Sequence, residues 1–287
     1  MNWTKHTHHR PQLRLAALAL LLAAMLPAAT TAIVQQCGIE NTAFKSGERL
    51  DYELYFNWKF VWVKVGQAHM NTDQITYEGK KAWRSDLVTG GNRSLDRFFT
   101  MRDTLVSICS ENLSPLYHRK GALEGKRYYV DELWYSYPGN NCKIKMHRIK
   151  ANGEHKWKDA QYRECIYDMM SIFLRARNFD ASTMKEGDTF PMPITDASSL
   201  NNAWLKFRGR ETFKMEGSSE KFRCLVFSFI ERSDGKNHEL VRFFITDDQN
   251  HIPVRLDLNL SFGSAKAFLK SYKGVRSPMT SRIEKYG

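Results

Sequence analysis

The chain has 287 residues and a formal net charge of +12, and about a quarter of its residues are charged. The basic residues are spread along the chain between apolar ones, with no arginine-rich arm and no helix-turn-helix pattern, which argues against a nucleic-acid partner. We interpret the positive charge as a solvated face, with attraction to anionic lipid or polysaccharide as the alternative.

The N-terminus has the pattern of a secretory signal peptide. Three basic residues precede an uninterrupted apolar run at 15–26, and small residues follow as far as Ala32. This order is typical of exported proteins. The run is shorter than the about 20 residues that a bilayer-spanning helix needs. We therefore predict a signal peptide over 1–32, and one β-rich domain over 33–287 with at most a peripheral membrane association.

Cys37 lies just beyond the predicted cleavage point and raises the question of a lipid anchor. Lipidation requires a small residue directly before the cysteine and usually a leucine three residues before it. Gln36 and Val34 occupy those two positions. We therefore expect no lipid attachment at Cys37.

Five cysteines remain after residue 32, and none of their spacings is that of a metal knuckle or a redox pair. An oxidising compartment permits disulfides, but an odd number leaves at least one cysteine unpaired. The sequence is compatible with either disulfides or buried free thiols at the following residues: Cys37, Cys109, Cys142, Cys165 and Cys224.

Alternation of apolar and polar residues dominates the rest of the chain. Residues 50–58 alternate strictly, as in a half-buried strand, and a turn or bulge at 57–60 leads into the next strand from Trp62. Short polar turns such as 138–141 separate the later strands. We predict a mainly β fold, either a single curved antiparallel meander sheet or an open barrel or sandwich. Further strands are predicted at 70–77, 81–89, 103–109, 116–123, 128–137, 142–150, 204–215, 222–231, 240–246 and 253–262.

One segment, residues 168–177, has helical spacing instead. Its apolar residues recur at 169, 172, 173 and 176, and Asp168 is a suitable N-cap. We predict an interior helix whose Met169, Ile172 and Phe173 pack against the sheet. Asp168 and Arg175 share one face of this helix. They could present an ion pair to a ligand, but we favour an N-cap and an arginine that anchors the helix to the sheet.

Short motifs in a fixed order resemble the family called domain of unknown function 3108, over residues 40–270. The resemblance implies an exported protein of Gram-negative bacteria with a curved antiparallel β fold. It implies no activity. We expect the protein in the periplasm or at the periphery of the outer membrane. The motifs are Phe44 to Tyr52 (FKSGERLDY), Arg102-Asp103, Glu124-Gly125-Lys126, Asp168 with Ser171 and Arg175, Asp247-Asp248, and Ile252-Pro253-Val254.

Catalysis has only weak candidates. Two acids brought about 5 or 7–9 Å apart would suit glycoside hydrolysis. However, Glu48 at the start of a strand more often pairs with an arginine, and Asp247-Asp248 is typical of a turn. No nucleophile motif, phosphate-binding loop or histidine metal spacing is present, so we predict no catalytic residue, no metal and no cofactor. The weak candidates are Glu48, Asp103, Asp168, Asp247 and Asp248.

The high content of aromatic residues, 13% of the chain, is the composition feature that says most about function. They either fill the core of a wide sheet or, in part, line an open face that binds a sugar ring or an acyl chain. We expect a non-enzymatic envelope protein that binds an amphipathic lipid or a glycan, or that assists envelope assembly. A polysaccharide hydrolase and a structural protein that docks an envelope partner are the alternatives. The candidate ligand-binding residues are Trp58, Trp62, Trp83, Trp134 and Arg175.

Overall fold

A computed structural model of the chain describes residues 37–58, 61–92, 101–215, 220–260 and 263–283. The predicted signal peptide, 1–32, lies outside the described residues. Within the described part, sixteen strands form one antiparallel sheet that is not closed, and a helix, α1 (Met169–Ala176), interrupts the strand order. The predicted mainly β fold with an interior helix is confirmed.

The strands are β1 (Glu48–Trp58), β2 (Val61–Tyr77), β3 (Lys80–Gly91), β4 (Met101–Ser110), β5 (Pro115–Glu124), β6 (Arg127–Ser136), β7 (Cys142–Ile149), β8 (His155–Tyr162), β9 (Thr189–Pro191), β10 (Ile194–Thr195), β11 (Leu200–Lys214), β12 (Lys221–Ser233), β13 (Lys236–Thr246), β14 (Pro253–Leu260), β15 (Gly263–Lys273) and β16 (Arg282–Ile283).

The sheet is a meander whose two halves are joined by its first and last long strands. β1 pairs with β2 on one side and with β15 on the other, so the sheet runs from β10 through β15 to β1 and on to β8. β8 and β10 are the two ends of this order. The connection between them in sequence contains α1, and a short parallel bridge joins Tyr167 to Ile194.

The sheet curves around α1. Buried side chains of β1–β4 and β12–β15 share one apolar cluster with Met170 and Leu174 of the helix. These eight neighbouring strands would span about 34 Å if they lay flat, at roughly 4.8 Å per strand. Side chains on strands this far apart can join one cluster only if the sheet curves, and α1 is part of that cluster. The concave side is therefore filled by α1 and by apolar side chains.

A capping box begins α1. Asp168 accepts hydrogen bonds from the backbone N–H groups of Met170 and Ser171, at 3.0 and 2.9 Å, and the Ser171 hydroxyl is bonded to the Asp168 backbone N–H at 3.0 Å. The predicted N-cap is confirmed. The predicted packing face was wrong at Met169, which is exposed, because the helix turns Met170 and Leu174 towards the sheet as well as Ile172.

A fully buried ion pair holds the other end of α1. Arg177, the C-cap residue, donates two hydrogen bonds to the Glu48 carboxylate at 2.5 and 2.9 Å, and two more to the backbone carbonyl of Asn250 at 3.2 and 2.8 Å. Its guanidinium also lies over the ring of Phe44. Both partners are about 1% exposed or less. Every described contact of this pair is therefore made inside the protein, and the pair joins α1 to β1 and to the β13–β14 turn.

A disulfide joins the segment before β1 to the segment before α1. Cys37 pairs with Cys165, and Arg175 donates a hydrogen bond to the Cys37 carbonyl at 2.9 Å. A lipid anchor would use the same Cys37 sulfur, so the disulfide and lipidation exclude each other. The other three cysteines, at positions 109, 142 and 224, are buried and free.

We expect Arg177→Met to lower the free energy of unfolding by about 3–5 kcal/mol, because it leaves the Glu48 carboxylate buried and uncompensated. The measurement is the midpoint of urea unfolding followed by circular dichroism. The double variant Glu48→Leu/Arg177→Met should be more stable than Arg177→Met alone, since it removes both buried charges. Lys150→Ala, which breaks the exposed Lys150–Glu154 pair, is the control and should leave the midpoint unchanged. A wild-type midpoint in Arg177→Met would contradict this role.

Candidate functional site

A row of buried polar residues crosses the sheet beneath α1. In neighbouring antiparallel strands, residues directly opposite each other place their side chains on the same face. The register places Glu48 opposite Thr72, Thr72 opposite Ser85, Ser85 opposite Ser107, and Ser107 opposite His118. All five are buried. We call these five residues the polar row; Arg177 contacts one end of it.

Asp168 contacts the other end of the polar row. His118 Nδ1 lies 3.2 Å from its carboxylate, outside the angles of a directed hydrogen bond, and the Ser107 hydroxyl donates to it at 3.3 Å. Burial acts to raise the pKa of Asp168, but the nearby His118 and the hydrogen bonds from Ser171 outweigh it and lower the pKa below its usual value. Asp168 is therefore held as a carboxylate.

Ser107, His118 and Asp168 have the residue types of a nucleophilic triad but not its order. In such a triad the histidine lies between the serine and the acid and takes the proton of the serine. Here Asp168 lies in the middle and accepts from Ser107 directly. Asp168 also caps α1, and all three residues are buried. The arrangement attaches a helix to a sheet, and His118 lies beside Asp168 rather than on the serine hydroxyl.

The other predicted carboxylates lie in two places, Asp103 on β4 and Asp247 with Asp248 in the turn after β13. Asp103 is on β4, where its backbone N–H donates to the Thr89 hydroxyl. Asp247 is 3.6 Å from Arg210. Asp248 accepts from the Asn250 backbone N–H at 3.0 Å and from the Ser281 hydroxyl at 2.6 Å, as in the turn that the sequence predicts. The Glu48 carboxylate is hydrogen-bonded to Arg177.

The predicted ligand-binding aromatics lie in different environments. Trp83 is buried in the core, edge-on to Phe44 at 5.1 Å. Trp58 ends β1, and its side chain lies outside the described part. Trp62 is exposed near the tip of the β1–β2 hairpin. Trp134 is half-buried on β6. Arg175 lies over the Tyr167 ring and is bonded to the Cys37 carbonyl.

An aromatic cluster covers one face of β5–β8, and we call it the aromatic face: Tyr117, Trp134, His147 and Trp157. Trp134 lies opposite Tyr117, and Trp157 lies opposite His147. The intervening residues of β6 and β7 point to the other face, where they form an apolar cluster of their own. The aromatic face is therefore on the side of these strands that faces away from this cluster.

Three rings of the aromatic face, those of Trp134, His147 and Trp157, are stacked, and the Tyr117 ring is tilted by 50° from Trp134. The Trp157 indole lies 3.9 Å from the His147 ring, with 9° between their planes, and 5.9 Å from Trp134 at 19°. Lys145 Nζ is 4.7 Å from the centre of Trp157. His147 is only 6% exposed, whereas Trp157 is 55% exposed. Trp157 therefore covers the histidine and presents much of its own surface to solvent.

Polar groups border the aromatic face. The Glu132 carboxylate accepts from the Tyr117 hydroxyl at 2.8 Å and lies 2.9 Å from His147 Nδ1. The other nitrogen of His147 is 2.9 Å from the ring of His155. Burial and the neighbouring Glu132 raise the pKa of Tyr117, so it stays a neutral hydroxyl. A flat aromatic surface with donors and acceptors at its border can bind the apolar face of a ring whose edges carry hydroxyl groups.

Trp134 is a ligand-binding residue predicted from the sequence, whereas Trp157, His147 and His155 are site residues that only the structure shows. The turn at Asn152-Gly153 was the available signal, since it indicates a hairpin that brings β7 and β8 together. The residue opposite His147 depends on the length of that turn. A shift of one residue would move Trp157 to the other face.

The fold and these surfaces define an open, barrel-like antiparallel β protein with a helix on its concave side. The chain belongs to the family described as Protein of unknown function (DUF3108), whose model matches residues 51–270. No curated protein matches the sequence.

Two solved structures match this chain at low sequence identity. The first is a beta-barrel-like protein of domain of unknown function DUF1849 from Brucella abortus, 10% identical, with a TM-score of 0.52 over 82% of this chain and 100% of that chain. The second is a Bacteroides fragilis protein described as an exported protein with a YmcC-like fold, 9% identical, with a TM-score of 0.32 over 83% of this chain and 100% of that chain. Only the first supports the fold, and neither carries an argument about function.

Asp168 should make stability depend on acid pH. Because its pKa is lower in the folded than in the unfolded protein, its contribution is present above the unfolded value and is lost as the pH falls through the folded value. In urea unfolding from pH 6 to about pH 2, we expect Asp168→Asn to be less stable than wild type at pH 6 and to lose less stability on acidification. Asp234→Asn, in an exposed turn, is the control and should run parallel to wild type. Parallel curves for Asp168→Asn would contradict the assignment.

Proposed function

We propose that this protein is a non-enzymatic binding protein of the bacterial envelope whose aromatic face binds a glycan. The observation that carries the proposal is the exposure of Trp157 above a buried and hydrogen-bonded His147. A single exposed apolar residue is ordinary, but Trp157 is stacked with His147 and Trp134, and grouped apolar rings at a surface indicate a contact. Its orientation is also fixed in advance by the histidine beneath it, so little conformational freedom is lost on binding.

The border of the aromatic face suits a sugar more than an acyl chain. Lys145, Glu132 and His155 supply both donors and acceptors around the rings. An acyl chain forms no hydrogen bonds with such groups, so it would desolvate them without replacing their hydrogen bonds to water, at a cost in free energy. A pyranose ring offers apolar C–H groups on its face and hydroxyls on its edge, and it matches both parts of this surface.

The carboxylates argue for binding rather than hydrolysis. Glu48 and Asp168 hold the two ends of α1, and Asp248 caps a turn. At the aromatic face, Glu132 is shared by Tyr117 and His147, and the register places Asp159 opposite Lys145 on the same face. Neither is one of the five acids that the sequence offers for glycoside hydrolysis. The contacts described for the predicted acids are structural.

An oxidising compartment is supported by the Cys37–Cys165 disulfide, because such bonds persist outside the cytoplasm. The pattern of residues 1–32 points the same way. In the part of the chain that the structure describes, no helix has the length and apolar character needed to cross a membrane. Export to the envelope, where glycans are abundant, agrees with these observations.

The test is a binding titration with lipid-free envelope glycans, namely peptidoglycan disaccharide fragments and delipidated lipopolysaccharide oligosaccharide, followed by ligand-observed NMR. We expect Trp157→Ala to weaken binding at least tenfold, because it removes the stacking surface. Glu132→Gln should weaken binding less, since it changes the border and keeps the rings.

Trp62→Ala is the matched control, because Trp62 is also an exposed tryptophan but lies outside the aromatic face. It should bind as wild type does. Equal binding by Trp157→Ala and wild type, or no binding of any glycan in the panel at millimolar concentration, would overturn the proposal.

A further inference from the structure

Two neighbouring hairpins end at the same edge of the sheet. β1–β2 and β14–β15 are joined by the pairing of β1 with β15, which sets Phe56 opposite Ala265. Near the ends, Trp58 lies opposite Val61, and Leu260 lies opposite Gly263. The two hairpin ends are therefore side by side.

The ring of Phe56 links these ends. Gly263 has a φ of 145°, and a side chain at this position would meet the Phe56 ring. The glycine lets the phenylalanine pack directly against the backbone of the second hairpin. The two ends thus form one surface rather than two independent loops.

This surface is apolar and exposed. Val61 is 62% exposed, and Trp62, Val63 and Leu260 are each more than a third exposed. Val61 is the most exposed large apolar side chain in the described part of the chain. We call these four residues the hairpin tips. Apolar residues grouped at one end of a protein indicate a contact surface.

Positive charge surrounds the hairpin tips. Lys266 Nζ lies 4.2 Å from the centre of the Trp62 ring. Lys64 and Lys270 both contact Glu53, at 2.7 and 2.9 Å. These two lysines lower the pKa of Glu53 to about 2, so one carboxylate faces two ammonium groups. Asp257 lies opposite Lys266 and is paired with Arg255, and the sequence has no acidic residue at 55–67 or 258–268.

We propose that the hairpin tips dock on the surface of an anionic lipid bilayer. Short apolar side chains and a tryptophan at the end of a structure can enter the interface between headgroups and acyl chains, where indole rings are favoured. The flanking lysines then meet the anionic headgroups. A protein partner would instead need acidic groups to complement these lysines, and a second copy of this chain is one of the outcomes of the test.

This membrane contact is separate from the proposed glycan site. The hairpin tips belong to β1, β2, β14 and β15, whereas the aromatic face belongs to β5–β8. The two proposed contact surfaces therefore share no strand. Either proposal can fail without the other.

The experiment is co-sedimentation with vesicles of phosphatidylcholine alone or mixed with phosphatidylglycerol, using protein recovered from the periplasm of an expression host. Wild type should bind the mixed vesicles and bind phosphatidylcholine at least tenfold more weakly, and added salt should reduce binding. Val61→Ser/Val63→Ser should lower binding to mixed vesicles at least tenfold. Lys266→Gln should weaken binding and make it less sensitive to salt.

Val88→Ser is the matched control, because Val88 is an exposed valine in the middle of β3. It should sediment as wild type does, as should Trp157→Ala. Thermal unfolding checks that each variant is folded, and Lys266→Gln keeps the test decisive if the double variant is not. Failure of wild type to bind mixed vesicles, or unchanged binding by Val61→Ser/Val63→Ser, would overturn the proposal. So would a wild-type dimer that this double variant abolishes, because a second copy would then cover the hairpin tips.

Discussion

The attachment of α1 to the sheet at both ends is the constraint on which the rest of the structure depends. At one end Arg177 meets Glu48, and at the other Asp168 meets His118 and Ser107. Because these sheet residues belong to the same polar row, the helix lies across β1–β5 in a fixed direction. Apolar packing alone is not directional, so buried polar contacts of this kind select one position for the helix.

This position decides where a ligand can bind. With α1 fixed across the concave side, Met170 and Leu174 pack into the cluster that also contains Trp83. Trp83, which the sequence offers as a ligand contact, is therefore part of the core. The exposed tryptophans, Trp157 and Trp62, lie on the aromatic face and at the hairpin tips instead. The interior holds the fold together, and the proposed contacts lie on the surface.

Much of the fold could be predicted from local patterns. Strict alternation at 50–58 gave β1, and helical spacing with Asp168 as N-cap gave α1, because both depend on neighbouring residues. The contacts between distant residues could not be predicted. Glu48 was expected to pair with an arginine, but Arg177 lies 129 residues away, and nothing local distinguishes it from the other arginines. Cys37 and Cys165 are separated by 128 residues, and the partner of His147 depends on the length of one turn.

The central claim is that the ligand surface is the aromatic face rather than the concave side filled by α1. The most direct test is an NMR titration of protein labelled at the tryptophan indole nitrogens and the methionine methyl groups, with the same lipid-free envelope glycans. We predict that the indole signals of Trp157 and Trp134 shift together while the Met170 methyl signal stays in place. Shifts of Met170, with Trp157 unchanged, would place the ligand inside the sheet and contradict the account.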